Sequence, residues 1–197
     1  MDARQQILEA IRRHPVEAVD LPALENGWST YAERREQFAQ TLEAVGGRCV
    51  LVESADRLSV ELEELPEYRD GQKICSLVEG AGRSTVDLQA VDDPHTLQDV
   101  DFAILPALFG VAENAAVWVN DDSLQHRVLY FIVQHLALVL SANQLVDNMH
   151  EAYARLKFEG TSFGCFISGP SKTADIEQSL VIGAHGPRSL TVFLVEA

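Results

Sequence analysis

The chain of 197 residues holds 30 Asp and Glu against 15 Lys and Arg, a formal net charge of −15. A field of that sign repels phosphate backbones and anionic lipid, so the composition argues against nucleic-acid and membrane-surface binding. With 47% apolar and 23% charged residues the composition is ordinary for a globular protein, and the length suits one domain that buries a core without staples.

Residues 3–13 carry Ile7, Leu8 and Ile11 on one face, which predicts an amphipathic helix stopped near His14-Pro15. Residues 15–29 read as irregular linker, which divides the chain into an N-terminal helix and linker (1–29) and an α/β domain (30–197). Thr30 to Glu33 has capping-box spacing and opens a predicted helix with Tyr31, Phe38, Leu42 and Val45 at helical intervals. Gly46-Gly47 ends it, and "RCVLVE" follows as a strand. A short helix over 56–64 and a strand over 73–78 come next. The acidic segment 79–99 reads as loop, with Asp92-Asp93-Pro94 as a breaker.

"DFAIL" (101–105), "AAVWV" (115–119) and "LALVL" (136–140) are predicted strands. Residues 143–158 are a predicted helix with Leu145, Met149, Ala152 and Leu156 on one face. "FGCFIS" (163–168) is a strand, 173–181 a helix, and "SLTVFLVE" (189–196) a final strand. Continuous apolar strands separated by helices imply an α/β fold with a largely parallel sheet covered on both faces.

The three cysteines, Cys49, Cys75 and Cys165, form no C-x-x-C pair and fall short of the four thiolates of an iron–sulfur cluster. His126, His135 and His150 match no metal-ligand spacing, so no metal site is expected. "MDARQQILEAIRRHP" lacks the apolar run of a signal peptide, and no stretch approaches the roughly 20 apolar residues of a membrane span. A cytoplasmic location is the expectation.

Three short stretches carry candidate chemistry. "GPSKT", Gly169 to Thr173, fails as a phosphate loop, because Phe166 and Ser171 stand where that motif needs glycines. It still offers a Gly-Pro turn, the hydroxyls of Ser171 and Thr173 and the ammonium of Lys172 before a predicted helix N-terminus, which suits an anion. The alternative is a plain N-cap by Ser171 or Thr173, with Asp175 and Glu177 in the first turn. "GAHGPRS" (183–189) places His185 as an acid/base group and Arg188 as a carboxylate clamp beside two glycines. The alternative there is a helix C-cap at Gly183 and a turn at Gly186-Pro187, with Arg188 in solvent. "GVAENAAVWVND" sets Glu113 and Asn114 in an apolar stretch, where a carboxylate is paired, raised in pKa and reactive, or simply part of a surface turn. No complete catalytic constellation is visible.

The run "FISGPSKTADIEQSLVIGAHGPRSLTVFLV" resembles the signature of LUD-domain proteins, the LutC/YkgG group associated with lactate utilisation. "GVAENAAVWV" resembles a second segment of that family, which usually reads Ala-Glu-Thr-Gly-Thr before an apolar strand. The resemblance spans roughly residues 31–196 in element order. It implies a three-layer α/β/α fold like that of NagB, ribose-5-phosphate isomerase and CoA transferases. It also implies the cluster-free component of a system oxidising L-lactate to pyruvate, beside iron–sulfur partner proteins. On that reading the chain has no cofactor of its own, and clusters belong to the partners.

Glu113, Lys172, His185 and Arg188 would then line a small-carboxylate pocket or help dock partners, with Asn114, Gly169, Ser171 and Thr173 as further ligand-binding candidates, and a homo-oligomer is compatible with either. CoA transferases of this fold use a glutamate in a Glu-Asn-Gly turn as nucleophile, which makes the alternative a stand-alone enzyme of the CoA-transferase or sugar-phosphate-isomerase type, with Glu113 as nucleophile or base and the 169–173 turn holding phosphate. A small-carboxylate-binding protein without chemistry is a further one. Here Ala115 replaces the turn glycine, and its Cβ narrows the room for a positive-φ turn.

Overall fold

The computed structural model describes residues 2–14, 19–20, 27–122, 124–156, 163–174 and 180–196. In chain order it begins with α1 (Ala3–Arg12), α2 (Arg34–Ala44), β1 (Arg48–Val52), α3 (Ala55–Glu63), α4 (Pro66–Arg69) and β2 (Ile74–Ser76). Then come β3 (Phe102–Pro106), β4 (Phe109–Val111), β5 (Ala116–Asn120), α5 (Leu129–Ile132), β6 (His135–Ser141) and β7 (Leu145–Val146). The chain continues through α6 (Met149–Arg155), β8 (Gly164–Ile167), β9 (Lys172–Ala174), β10 (Leu180–Ile182) and β11 (Ser189–Val195).

Five strands pair in the order β1-β11-β6-β3-β2, every pair parallel. Strand alternation sorts their side chains to two sides. Phe102, Ile104, Ala137, Val139 and Phe193 meet Leu58 and Leu62 of α3 and Tyr68 of α4. Ala103, Leu105, Leu136, Leu138, Leu190 and Val192 face the other way, onto Phe38 and Leu42 of α2, Leu129 of α5, and Val117 and Val119 of β5. Burial on both faces is why the central strands β3, β6 and β11 are apolar at most consecutive positions rather than at every second one. Phe38 and Leu42, four residues apart and fully buried, anchor α2. Each contributes roughly 1.5–3 kcal/mol through burial.

A second sheet, in the order β7-β4-β5-β8, is mixed: β5 runs antiparallel to β4 and β8, and β7 parallel to β4. Its outer face carries Phe109, Val111 and Trp118, packed with Ala152 of α6. The strands expected at 115–119 and 163–168 therefore exist, but in this second sheet rather than the parallel one. The architecture is α/β with a parallel central sheet, and one of its covering layers is part sheet.

Four local expectations change. Thr30–Glu33 does not open α2; Glu33 is the N-cap residue and makes no side-chain cap. A tertiary contact takes over instead, since the Tyr31 N–H and the Arg34 guanidinium both donate to Asp147. The helix expected over 143–158 begins at Met149, where the Asn148 side chain accepts the Glu151 N–H. Leu145 and Val146 pair with Gly110 and Val111, so sheet pairing outcompetes their helical spacing. Residues 157–158 lie outside the described residues.

The helix expected over 173–181 is also absent from its described part. Residues 172–174 and 180–182 form an antiparallel ribbon that pairs Thr173 with Val181 and Lys172 with Ile182. Its β-branched residues suit a strand, and the pairing satisfies their backbone. Asp175 and Glu177 lie outside the described residues. Within the loop expected at 79–99, the side chains of Asp87 and Asp93 cap two 3₁₀ turns, Leu88–Ala90 and Pro94–Asp99.

Candidate functional site

The ribbon places the two polar turns side by side rather than at opposite ends of a helix. The Ser171 N–H donates to the Pro187 carbonyl at 2.9 Å, and the Gly183 N–H donates to the Ser171 carbonyl at 3.0 Å. Two glycines make this approach feasible. Gly169 has φ +72°, and a Cβ there would stand 2.8 Å from the Val45 carbonyl oxygen. At Gly186 a Cβ would come within 3.0 Å of the Ser171 Cβ.

Where these turns meet β8, α5 and the start of β6 and β11, a cavity of about 270 Å³ opens. Its polar wall comprises Ser168, Ser171 and His185; Phe131, Leu136, Ile167 and Leu190 supply most of the apolar wall. Among the described residues no Asp, Glu, Lys or Arg lines it. Ser168 donates from Oγ to the Asn114 carbonyl at 2.8 Å, so the 110–121 segment supports the cavity from behind. Tyr130 also lines it and donates from its hydroxyl to the Asn120 carbonyl at 3.1 Å. Burial, followed by the nearby Cys165 and Asp121, pushes that phenol up to about 12, so it stays protonated. Such a space, at the small end of ligand cavities, fits a compact molecule with an apolar end and a hydrogen-bonding end.

A family model for the LUD domain matches residues 83–195, more than half of the sequence. The chain belongs to the LUD-domain family. Among curated relatives, Lactate utilization protein C of Oceanobacillus iheyensis is 28% identical over 92 residues, covering 44% of this chain and 40% of that protein. The chain thus spans less than half the length of the first curated relatives it matches. An uncharacterised protein of Neisseria meningitidis is 24% identical with 99% of this chain and 94% of its own length covered. The crystal structure of a DUF162 family protein from Deinococcus radiodurans superimposes with a TM-score of 0.59 at 21% identity, over 83% of this chain and 97% of that one. That likeness shows the fold.

In this LUD domain, Gly169, Ser171 and His185 share the cavity, and the other candidates do not line it. Lys172 is exposed and extends toward Gly46, where a Cβ would lie 3.9 Å from its Nζ, at the C-terminal end of α2. Thr173 belongs to the ribbon. Arg188 is exposed in a different cleft, shared with His135, Asp99, Asp101 and Glu67. Lys172 and Arg188 therefore face different surroundings.

Glu113 is exposed as well. Its Oε2 accepts the Met149 N–H at 3.0 Å, at the start of α6. The Asn114 Oδ1 accepts the Ala116 N–H at 3.1 Å, and Ala115 between them holds φ +53° while fully buried. The turn keeps the left-handed backbone that a glycine would favour, now with a Cβ inside the core.

Sequence reasoning missed Ser168 and the aromatic wall of Tyr130 and Phe131; only the position of Ser168 just before Gly169-Pro170 hinted at its role. It also missed Asp147, whose run Asp147-Asn148 ahead of an apolar helix face is a cap signal. In the separate cleft, His135 Nδ1 lies 2.8 Å from Ser189 Oγ, and burial lowers the imidazole below its ordinary pKa. Cys49, Cys75 and Cys165 are free thiols, and burial raises all three, Cys49 and Cys75 to about 11. Among the described residues no three His, Cys, Asp or Glu side chains converge as metal ligands, and no helix is long and apolar enough to cross a membrane.

Proposed function

We propose that this LUD-domain chain serves in lactate utilisation as a cluster-free component, working beside iron–sulfur proteins that carry the electrons. In this reading the cavity at Ser168, Ser171 and His185 takes a short 2-hydroxy or 2-oxo carboxylate. The observation that carries it is the meeting of both signature turns, Gly169–Ser171 and His185–Pro187, around one small cavity that no carboxylate among the described residues lines. In a chain with 30 acids, a lining that lacks them favours an anionic ligand. The hydroxyl of Ser171 and the imidazole of His185 supply the hydrogen-bonding end, and Leu136, Ile167 and Leu190 receive a methyl-sized apolar end. The name carried by the relatives supports the same substrate class.

Support for the enzyme reading based on Glu113 is weaker, since that carboxylate is engaged at the N-terminus of α6. The test is genetic and biochemical together. A strain lacking this gene should fail to grow on L-lactate and recover with the wild-type chain, but not with Ser171→Ala combined with His185→Ala. Recovery of the wild-type chain from lactate-grown cells should bring iron–sulfur proteins with it. Undiminished growth of the deletion strain would sink the proposal.

A further inference from the structure

Helix α1 buries none of its residues. Ile7 and Ile11, four apart and so on one face, are 61% and 64% exposed. Arg4 falls on that same face, Arg12 lies about 100° round the helix from Ile11, and Arg13 pairs with Glu9. Residues 2–14 hold three arginines against two acids, whereas 28 of the 30 acids lie elsewhere in the chain. A ten-residue helix is marginal in water by itself, so α1 needs a surface to stabilise it.

The outer side of α3 offers a complementary one. Ser59, Val60, Tyr68 and Gly82 line an open groove of about 530 Å³ with Glu63 and Glu64 at its rim, and Val60 is 46% exposed. The cation within it, Arg83, is already engaged: its Nη2 donates to the carbonyls of Tyr68, Arg69 and Gly71, and its Nη1 lies 3.7 Å from Glu63. No basic residue occupies the last turn of α3, and Glu63 and Glu64 crowd its C-terminal end. Carboxylates there oppose the helix dipole, so an incoming cation relieves an unfavourable local field.

We propose that α1 of one copy of this chain lies in the α3 groove of a second copy, with Ile7 and Ile11 against Val60 and Arg4 facing Glu63 and Glu64. In a two-fold arrangement each copy gives a helix and receives one, which doubles an interface that a single short helix would leave too small. The −15 on each copy opposes this pairing as it opposes nucleic acid and anionic lipid, but only a second copy offers an apolar contact at Val60 together with the carboxylates of Glu63 and Glu64 in one groove. In the chain itself α1 leaves both isoleucines in solvent, so it does not fill its own groove. This inference is independent of the lactate reading.

Light scattering on the full chain across a concentration series tests it. The wild type should pass from monomer to dimer, and Ile7→Asp with Ile11→Asp should remain monomeric throughout, with the unfolding midpoint of the wild type at concentrations where both are monomers. Arg4→Glu or Glu64→Arg alone should weaken association about tenfold, and the two together should restore most of it. A wild type that is monomeric at every concentration, a dimer indifferent to the isoleucine pair, or a charge swap without recovery would overturn the proposal. Binding of a monomeric wild type to anionic vesicles would overturn it too, by assigning α1 to a membrane.

Discussion

Arg34 donates from Nε and Nη2 to the two carboxylate oxygens of Asp147, each at 2.7 Å, and so joins positions 113 residues apart. The Asp147 side chain is 4% exposed and that of Arg34 is 47% exposed. With the Tyr31 N–H at 3.1 Å, this pair clamps the segment before α2 onto the β7–α6 turn.

Removing one partner leaves the other stranded. Arg34→Met leaves a buried carboxylate with little compensation and should cost about 3 kcal/mol in urea unfolding. Asp147→Asn, which keeps a hydrogen-bonding side chain, should cost about 1–2 kcal/mol. The Arg34 hydrogen bonds hold the Asp147 carboxyl below the usual carboxylate range, against the opposing effect of burial. A depressed carboxylate stabilises the fold above its unfolded value, about pH 4, and that stabilisation is lost as pH falls further. Unfolding measured below about pH 4 should show a steeper loss for the wild type than for Asp147→Asn.

His135 predicts a second pH window. Burial lowers its pKa first and Arg188 adds to that, while Glu67 and Asp101 act the other way. Between its folded value and about 6.5 the unfolded chain binds more protons than the folded one, so stability rises with pH there. Wild-type stability should fall as pH drops below about 6.5. His135→Gln, whose amide can still meet Ser189, should flatten that slope. An equal slope in the two proteins would assign the window to another group.

Ala115 carries opposing demands. Its φ of +53° is strained for a residue with a Cβ, and its methyl is fully buried. Ala115→Gly should relieve the backbone by about 1 kcal/mol and lose a comparable amount of burial, leaving chemical unfolding nearly unchanged. Ala115→Val, with a branched side chain in the same conformation and no space, should destabilise by about 2–3 kcal/mol.

Gly186 guards the cavity. A Cβ there would stand 3.0 Å from the Ser171 Cβ and 3.2 Å from its Oγ. If the cavity is the carboxylate site, Gly186→Val should abolish any thermal shift produced by L-lactate or pyruvate. The ligand-free chain should lose no more than about 2 kcal/mol. Retention of the shift would place the ligand elsewhere.

Much of the fold was legible because its signals are local. The apolar runs at 102–106, 136–140 and 189–195 announce strands buried on both faces, and Gly46-Gly47 marks where α2 stops. The errors fell where strand pairing, rather than local side-chain spacing, decides the backbone. Leu145 and Val146 have helical spacing yet pair with β4, and residues 172–174 and 180–182 pair with each other. The capping box at Thr30 lost to Asp147, which lies 116 residues beyond Tyr31 in the chain.

The candidate site divides along the same line. Residue types and their order already identified "GPSKT", "GAHGPRS" and the Glu113-Asn114 turn as unusual, because glycines, hydroxyls and a histidine beside apolar strands are visible in any linear reading. Which of them share a space depends on pairing and close approach, which have no sequence period. The ribbon and the bond from Ser171 to Pro187 unite Gly169, Ser171 and His185; the same geometry directs Lys172 to the end of α2 and Arg188 to another cleft. Local chemistry named the candidates, and long-range backbone hydrogen bonds chose among them.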